Sequence, residues 1–433
     1  MDQALAASHR QQLLAQMPEN SVALVYGSAE VTRSNDTEYR FRQDSDLFYL
    51  TGFNEPDALL LLRKGQTPES VIFVRPRDEM MEIWHGRRLG AERAPDALGV
   101  DAAYSIDDLA KELPLLVSGF DVLLHRNGFS SREDEAVASL LATLRVGQRQ
   151  GLKALTQVQD LRTILHELRL HKSDAELELM ATAARLSAEG HTRAMQVCKP
   201  GMFEYQLEAE IKHHCAMNGA LEMAYGTIVG GGENACILHY TENECELKSG
   251  DLVLIDAGAE YRGYAGDITR TFPVNGKFSD EQKALYTLVL NAEKAAISML
   301  KPGVAIKQAN AKVLEIMVGG LVELGIMQGE VAELIETEAY KKFYMHGLGH
   351  WLGLDVHDVG DYYSADRTRP LEQGMVLTIE PGLYIAPDAD VDPKWQGIGV
   401  RIEDNIAITA DGHINMTASV VKEIADIEAL MAG

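Results

Sequence analysis

Two stretches of the chain, about 102 residues apart, follow the same plan. Ser173-Asp174-Ala175-Glu176 opens a helical pattern with a Ser followed three residues later by Glu, the signature of a capping box. Ser279-Asp280 opens a second helical pattern. The first ends at Lys199-Pro200-Gly201 and the second at Lys301-Pro302-Gly303, and another helical pattern follows each, over 203–219 and 304–325. Pro and Gly are stop signals for a helix, so a shared stop alone is weak. A shared helix–stop–helix order with strands after it predicts a duplicated α+β unit whose helices back a common sheet.

The first ~170 residues read differently. Apolar runs at 21–27, 46–53, 57–64 and 70–76, bounded by Gly, Asn, Asp and Pro, predict strands, and 130–144 predicts a helix. The expected organisation is an α+β protein: a smaller α/β N-terminal domain over 1–171 and a duplicated α+β domain over 172–433, which carries the chemistry.

Charge narrows the function. With 65 Asp and Glu against 40 Lys and Arg the formal charge is −25, which disfavours nucleic acid and an anionic membrane surface as partners. No apolar run approaches the ~18–20 residues of a membrane helix. The N-terminal stretch has an early acid and no apolar core, so it does not read as a secretory signal. Four cysteines without a CxxC predict a reduced, cytoplasmic protein.

Two apparent motifs are set aside. His166 and His171 in HELRLH are five apart, about 140° around a helix, and do not share a metal as a zincin pair does. Gly230-Gly231-Gly232-Glu233-Asn234-Ala235 fits GxGxxA but no helical pattern follows to hold a pyrophosphate.

Four acids stand where apolar strands would prefer none. Asp256 ends the run 251–256. Asp267 shares a face with Thr269 and Thr271. Glu380 closes 374–380 before Pro381-Gly382, and Glu403 alternates with Ile398, Val400 and Ile402 in 397–409. Buried carboxylates are costly unless paired or metal-bound, and two of them ~4 Å apart repel by roughly 4 kcal/mol at an effective dielectric of 20. Arg401, at i−2 from Glu403, cannot neutralise four. His346, His350 and His357 lie within twelve residues among Gly347, Gly349, Gly353 and Gly360, and His239 follows the glycines at 230–232. Oxygen-rich donors with an imidazole suit Mn²⁺, Mg²⁺ or Co²⁺. Two such ions would make a hydrolytic site.

The ordered segments 255–274, 346–360, 378–384 and 399–405 resemble the metal-binding signature of the pita-bread metallopeptidases. Within that family, 40–62 and 230–243 are similar to the aminopeptidase P subfamily. The resemblance implies two divalent ions, Mn²⁺ by preference, held by Asp256, Asp267, His350, Glu380 and Glu403, with Asp267 and Glu403 bridging. It implies release of the first residue from peptides with proline second, by attack of a hydroxide between the ions. Glu380 would carry the proton to the leaving nitrogen. His239 and His357 would contact substrate and stabilise the tetrahedral intermediate, and His346 would line the proline pocket. Arg401 would orient an acidic ligand. The same resemblance implies a homotetramer, with a dimer as the alternative, an N-terminal domain serving assembly and site access, and Trp84 and Asp36 near subunit contacts. Prolidase, which cleaves Xaa-Pro dipeptides, shares the ligand set. A methionine aminopeptidase would lack the large N-terminal domain, and a creatinase-like hydrolase or a non-catalytic protein-binding module would have lost the acids.

Overall fold

The computed structural model describes residues 2–433, which form two compact units, one ending at Arg169 and the other spanning Leu170–Gly433. In the first, six strands form one sheet in the order Ala102–Ser105, Ser70–Val74, Leu59–Arg63, Ser21–Tyr26, Val122–His125, Gln157–Asp160. The pairs made by Leu59–Arg63 are antiparallel, with Val22 opposite Arg63 and Leu60 opposite Ile72, and the other three are parallel. Leu59–Arg63 and Ser70–Val74 are buried along their whole length, which explains why they read as unbroken apolar runs rather than alternating ones.

One expected strand is a helix. Of the expected strand 46–53, residues 46–51 fall in the helix Ser45–Thr51, which Asp44 caps by accepting from the N–H groups of Asp46 and Leu47, and which Gly52 ends in the left-handed region at φ 65°. The apolar content suits either element; the two caps decide. Asp46 is then buried against Arg169 Nη1 at 2.7 Å, while Arg126 reaches Asp44 and Glu133 at 2.6 Å each.

The second unit shows the repeated plan. Helix Asp174–Val197 starts at Ser173, whose backbone N–H donates to Glu176 Oε2 at 2.8 Å, and packs against Glu204–Met217. Helix Asp280–Met299, capped by Ser279, packs against Ile306–Glu323. Each pair is followed by a three-stranded antiparallel sheet. The first has the order Ile228–Gly231, Leu252–Asp256, Thr269–Pro273, and the second Val376–Ile379, Asp404–Ile408, His413–Asn415. One large apolar core joins helices and sheets, from Leu186 and Ile211 through Ile255 and Phe272 to Leu377 and Ile406.

The expected single strand over 397–409 is two. Ile398–Arg401 pairs with Gly382–Ile385, and Asp404–Ile408 pairs with Val376–Ile379. The break falls at Ile402-Glu403, where the Glu403 N–H turns to the Thr269 carbonyl at 3.1 Å. The glycines at 230–232 lead into a short 3₁₀ turn, Gly232–Cys236, and not into an α-helix. Among the described residues no helix is long and apolar enough to cross a membrane.

Candidate metal centre

Each acid sits at or within two residues of the end of an element. Asp256 is the last residue of Leu252–Asp256. Asp267 lies two residues before Thr269–Pro273, Glu380 follows Val376–Ile379, and Glu403 precedes Asp404–Ile408. Strand ends bring backbone from different sheets close together, and two glycines allow the closest approaches. A Cβ on Gly258 would lie 1.7 Å from the Gly266 carbonyl oxygen, and one on Gly349 would lie 1.8 Å from that of Thr378. Gly258 therefore closes the hairpin that carries Asp256 and Asp267, and Gly349 presses the His350 segment against the strand that leads to Glu380.

The five side chains converge. Asp267, His350 and Glu403 each offer a donor atom within 4.8 Å of the others. His350 Nε2 lies 3.4 Å from Asp267 Oδ2 and 3.4 Å from Glu380 Oε1. His350 Nδ1 is 3.0 Å from the Trp351 carbonyl, which can only accept, so Nδ1 carries a hydrogen and Nε2 is the ring atom presented to the acids. The Tyr225 hydroxyl lies 2.5 Å from Asp256 Oδ1 and 2.5 Å from Asp267 Oδ1. A phenol has one proton to give, so it draws two carboxylates together without neutralising either. Thr269 Oγ1 donates to Glu403 Oε2 at 2.7 Å, and Thr378 Oγ1 to Glu380 Oε1 at 3.2 Å.

The electrostatics are those of an anion cage. Burial, together with the neighbouring acids, raises the carboxyls of Asp267 and Glu403 and pushes Glu380 up to about 7. Burial works against a charged His350. The Asp267 hydrogen bond and the charges of Glu380 and Asp267 override it and push the ring up to about 9. A proton on His350 and a divalent ion are thus alternative cations for one cage. Hard oxygen donors, one imidazole aimed by its carbonyl and several buried like charges within reach of each other fit divalent metal.

The remaining predicted residues fall into two groups. Arg401 is buried; its Nη2 donates to Asp256 Oδ2 at 2.8 Å, its Nε to Thr269 Oγ1 at 3.1 Å and its Nη1 to the Tyr384 hydroxyl at 2.9 Å. That hydroxyl lies 2.7 Å from His346 Nε2, and His346 Nδ1 lies 2.8 Å from the Gly347 carbonyl. Burial first, then the Arg401 charge, lowers His346 to about 4, so its ring is neutral. His357 stands edge-on to His350 at 4.3 Å between ring centres and is exposed. His239 is exposed, and among the described residues no hydrogen bond or ion pair joins it to the acids. Trp84 and Asp36, in the first unit, are exposed.

Sequence reasoning missed Tyr225, Tyr384, Thr269 and Thr378. Only Thr269 and Thr378 had a usable signal: each stands two residues from a predicted ligand, Asp267 or Glu380, within an apolar strand pattern.

Such a duplicated α+β unit, with acids and an imidazole gathered at its strand ends, is the architecture of a metallopeptidase. Residues 178–410 match Metallopeptidase family M24, and residues 6–124 match the aminopeptidase P N-terminal domain. The chain belongs to metallopeptidase family M24. It is 54% identical over 424 residues to an Xaa-Pro aminopeptidase of Escherichia coli (98% of this chain, 96% of that one), and 52% identical to one of Haemophilus influenzae with the same coverage. Its fold superposes on the solved proline aminopeptidase P II of Yersinia pestis with a TM-score of 0.97, 56% identity and full coverage of both chains. Zinc-substituted Escherichia coli aminopeptidase P with product gives 0.97 at 53% identity, covering 100% of this chain and 98% of that one.

Proposed function

We propose that this chain is a metal-dependent aminopeptidase that releases the first residue from peptides with proline in second position. The observation that carries the reading is the convergence of Asp267, His350 and Glu403 donor atoms within 4.8 Å in a buried, acid-rich pocket. Its support in sequence is full-length similarity to Xaa-Pro aminopeptidases.

Asp256, Asp267, His350, Glu380 and Glu403 would hold two divalent ions, with Asp267 and Glu403 shared between them. Manganese suits the donor set, four carboxylates to one imidazole. Bound ions would supply Lewis acidity toward a carbonyl and a water acidified toward neutral pH.

The side chains have separate tasks. Glu380, whose Oε1 lies 3.4 Å from His350 Nε2 within the cage, would take a proton and return it to the leaving proline nitrogen. Neutral His346, beside Tyr384 and edge-on to Tyr344 at 5.0 Å between ring centres, would form a wall for the proline ring. His357 and His239, both exposed, would face substrate and donate to the developing oxyanion. Arg401 would keep Asp256 ionised and aimed. A prolyl bond has no N–H and a fixed φ, so a dedicated pocket offers recognition that an N–H-reading protease lacks.

The chain would act in the cytoplasm as a homo-oligomer, a tetramer before a dimer, with residues 1–171 serving assembly and access and 172–433 the chemistry. The helix Glu79–His85 buries none of its residues and exposes Ile83 and Trp84 by about three quarters, which is surface that a second subunit would cover. Cleavage of a short Xaa-Pro-Yaa peptide with Mn²⁺, abolished by a chelator, tests the reading. Cleavage of Xaa-Pro dipeptides alone would make the chain a prolidase instead.

A further inference from the structure

The two acids proposed to bridge the ions lie just outside the regular strands, which begin at Thr269 and Asp404. Both are buried, at 4% and 2% exposure, so their backbone groups need partners that the sheet ladders do not provide. The Glu403 N–H goes to the Thr269 carbonyl, and two side chains supply the other three in a reciprocal pattern. Asn405, two residues after Glu403, reaches across to Asp267: the Asp267 N–H donates to Asn405 Oδ1 at 3.0 Å, and Asn405 Nδ2 donates to the Asp267 carbonyl. Arg270, three residues after Asp267, reaches the other way, with Nη1 donating to the Glu403 carbonyl at 2.7 Å. Each bridging acid's own segment thus carries the group that grips the backbone of the other.

The clamp is itself held. Arg270 Nη2 donates to Asp404 Oδ1 at 2.7 Å and its Nε to the Val421 carbonyl at 3.2 Å, with no part of the residue exposed. Asp404 also accepts from Thr417 Oγ1 at 2.8 Å and from Lys422 Nζ at 2.5 Å, and Thr417 Oγ1 accepts from the Asn405 N–H at 3.1 Å. Among the described residues, no side-chain hydrogen bond of Arg270 or Asn405 reaches the carboxylate of Asp267 or Glu403. Both act on main chain, and so on the distance between the two Cα atoms from which the bridging carboxylates project.

We infer that Arg270 and Asn405 are positioning residues that fix the separation of the two bridging acids and thereby set how tightly, and how closely coupled, the chain holds a pair of divalent ions. The inference rests on the proposed metal reading. A bridging carboxylate must meet two ions at once, so a small shift of its backbone costs the shared bonds first. Partners of this kind, one shell out from the ligands, are worth roughly 10–100-fold in metal affinity.

The test uses the full-length protein, stripped of metal and reloaded with Mn²⁺. Kd values are read by competition with a chelator, and exchange coupling between the ions by electron paramagnetic resonance. Asn405→Ala and Arg270→Lys are each expected to weaken the looser of the two ions by roughly 10–100-fold and to replace the coupled signal with that of isolated Mn²⁺. Tyr240→Phe is the matched control. It removes a buried hydrogen bond of 2.8 Å to Glu204 Oε2, which involves none of the residues that hold the clamp, and should leave both readouts unchanged. If Asn405→Ala is not recovered folded, Arg270→Lys decides on the same two readouts. Wild-type Kd values and coupling in the clamp variants, or an equal loss in Tyr240→Phe, overturn the inference alone. A wild-type chain that does not load two ions overturns the metal reading beneath it.

Discussion

Arg401 Nη2 meets Asp256 Oδ2 at 2.8 Å with both side chains largely out of solvent. This is a charge-assisted hydrogen bond, worth roughly 1.5–3 kcal/mol. Arg401 also binds Thr269 and Tyr384, so its fork ties one proposed ligand to the Tyr384–His346 wall. Arg401→Lys keeps the charge and loses the fork. We expect kcat/KM to fall by about 10–100-fold, the equivalent of one such bond. Steady-state kinetics alongside metal analysis checks this; a kcat/KM equal to wild type would remove Arg401 from the site.

Asp267 offers one oxygen near His350 and another near Tyr225, at the centre of the cage. Asp267→Ala should abolish both activity and the metal complement, because a shared ligand serves two ions. Elemental analysis after loading and desalting gives the answer, and two tightly bound ions in the variant would contradict a bridging role.

His357 stacks edge-on to His350 from an exposed position and is not among the clustered donors. His357→Ala is expected to lower turnover by about 10²–10⁴-fold, the range for a general acid–base or oxyanion-stabilising group, with metal content near normal. Loss of metal along with activity would make it a ligand.

His191 is fully buried on the helix Asp174–Val197 and its Nε2 meets the Ala257 carbonyl at 2.9 Å. Burial, aided by the Arg270 charge, lowers its pKa from 6.5 to about 4. Between those values the unfolded chain binds the proton and the folded chain does not. Stability is therefore held above pH 6.5 and lost as pH falls toward 4, with a slope of up to about 1.4 kcal/mol per pH unit. His191→Gln retains a donor for Ala257 and removes the titration. Urea unfolding of the metal-free protein at several pH values should show a shallower slope in the variant across that window, and parallel slopes would refute it.

Much of the architecture was legible because it rests on local signals. The caps at Ser173 and Ser279 and the stops at Pro200 and Pro302 mark helix ends that chemistry enforces at short range. Acids at the ends of apolar runs stood out because burial makes them expensive. What could not be read depends on which distant backbone is near. Tyr225 gains its place from the spacing of Asp256 and Asp267, and nothing adjacent in sequence announces it. The break at Ile402-Glu403 follows from the claim of Thr269 on the Glu403 N–H, which an alternating pattern conceals. Residues 46–53 went wrong for the opposite reason: the cap at Asp44 was local and visible, and the apolar content outweighed it.

The bare backbone at Gly258 and Gly349 bears on any effort to transplant this centre. With a methyl group at either position pressed to less than 2 Å from a carbonyl oxygen, the ligand segments could not nest at their present spacing. An engineer who copied only the five donor side chains onto a new scaffold would inherit their chemistry without the room to use it.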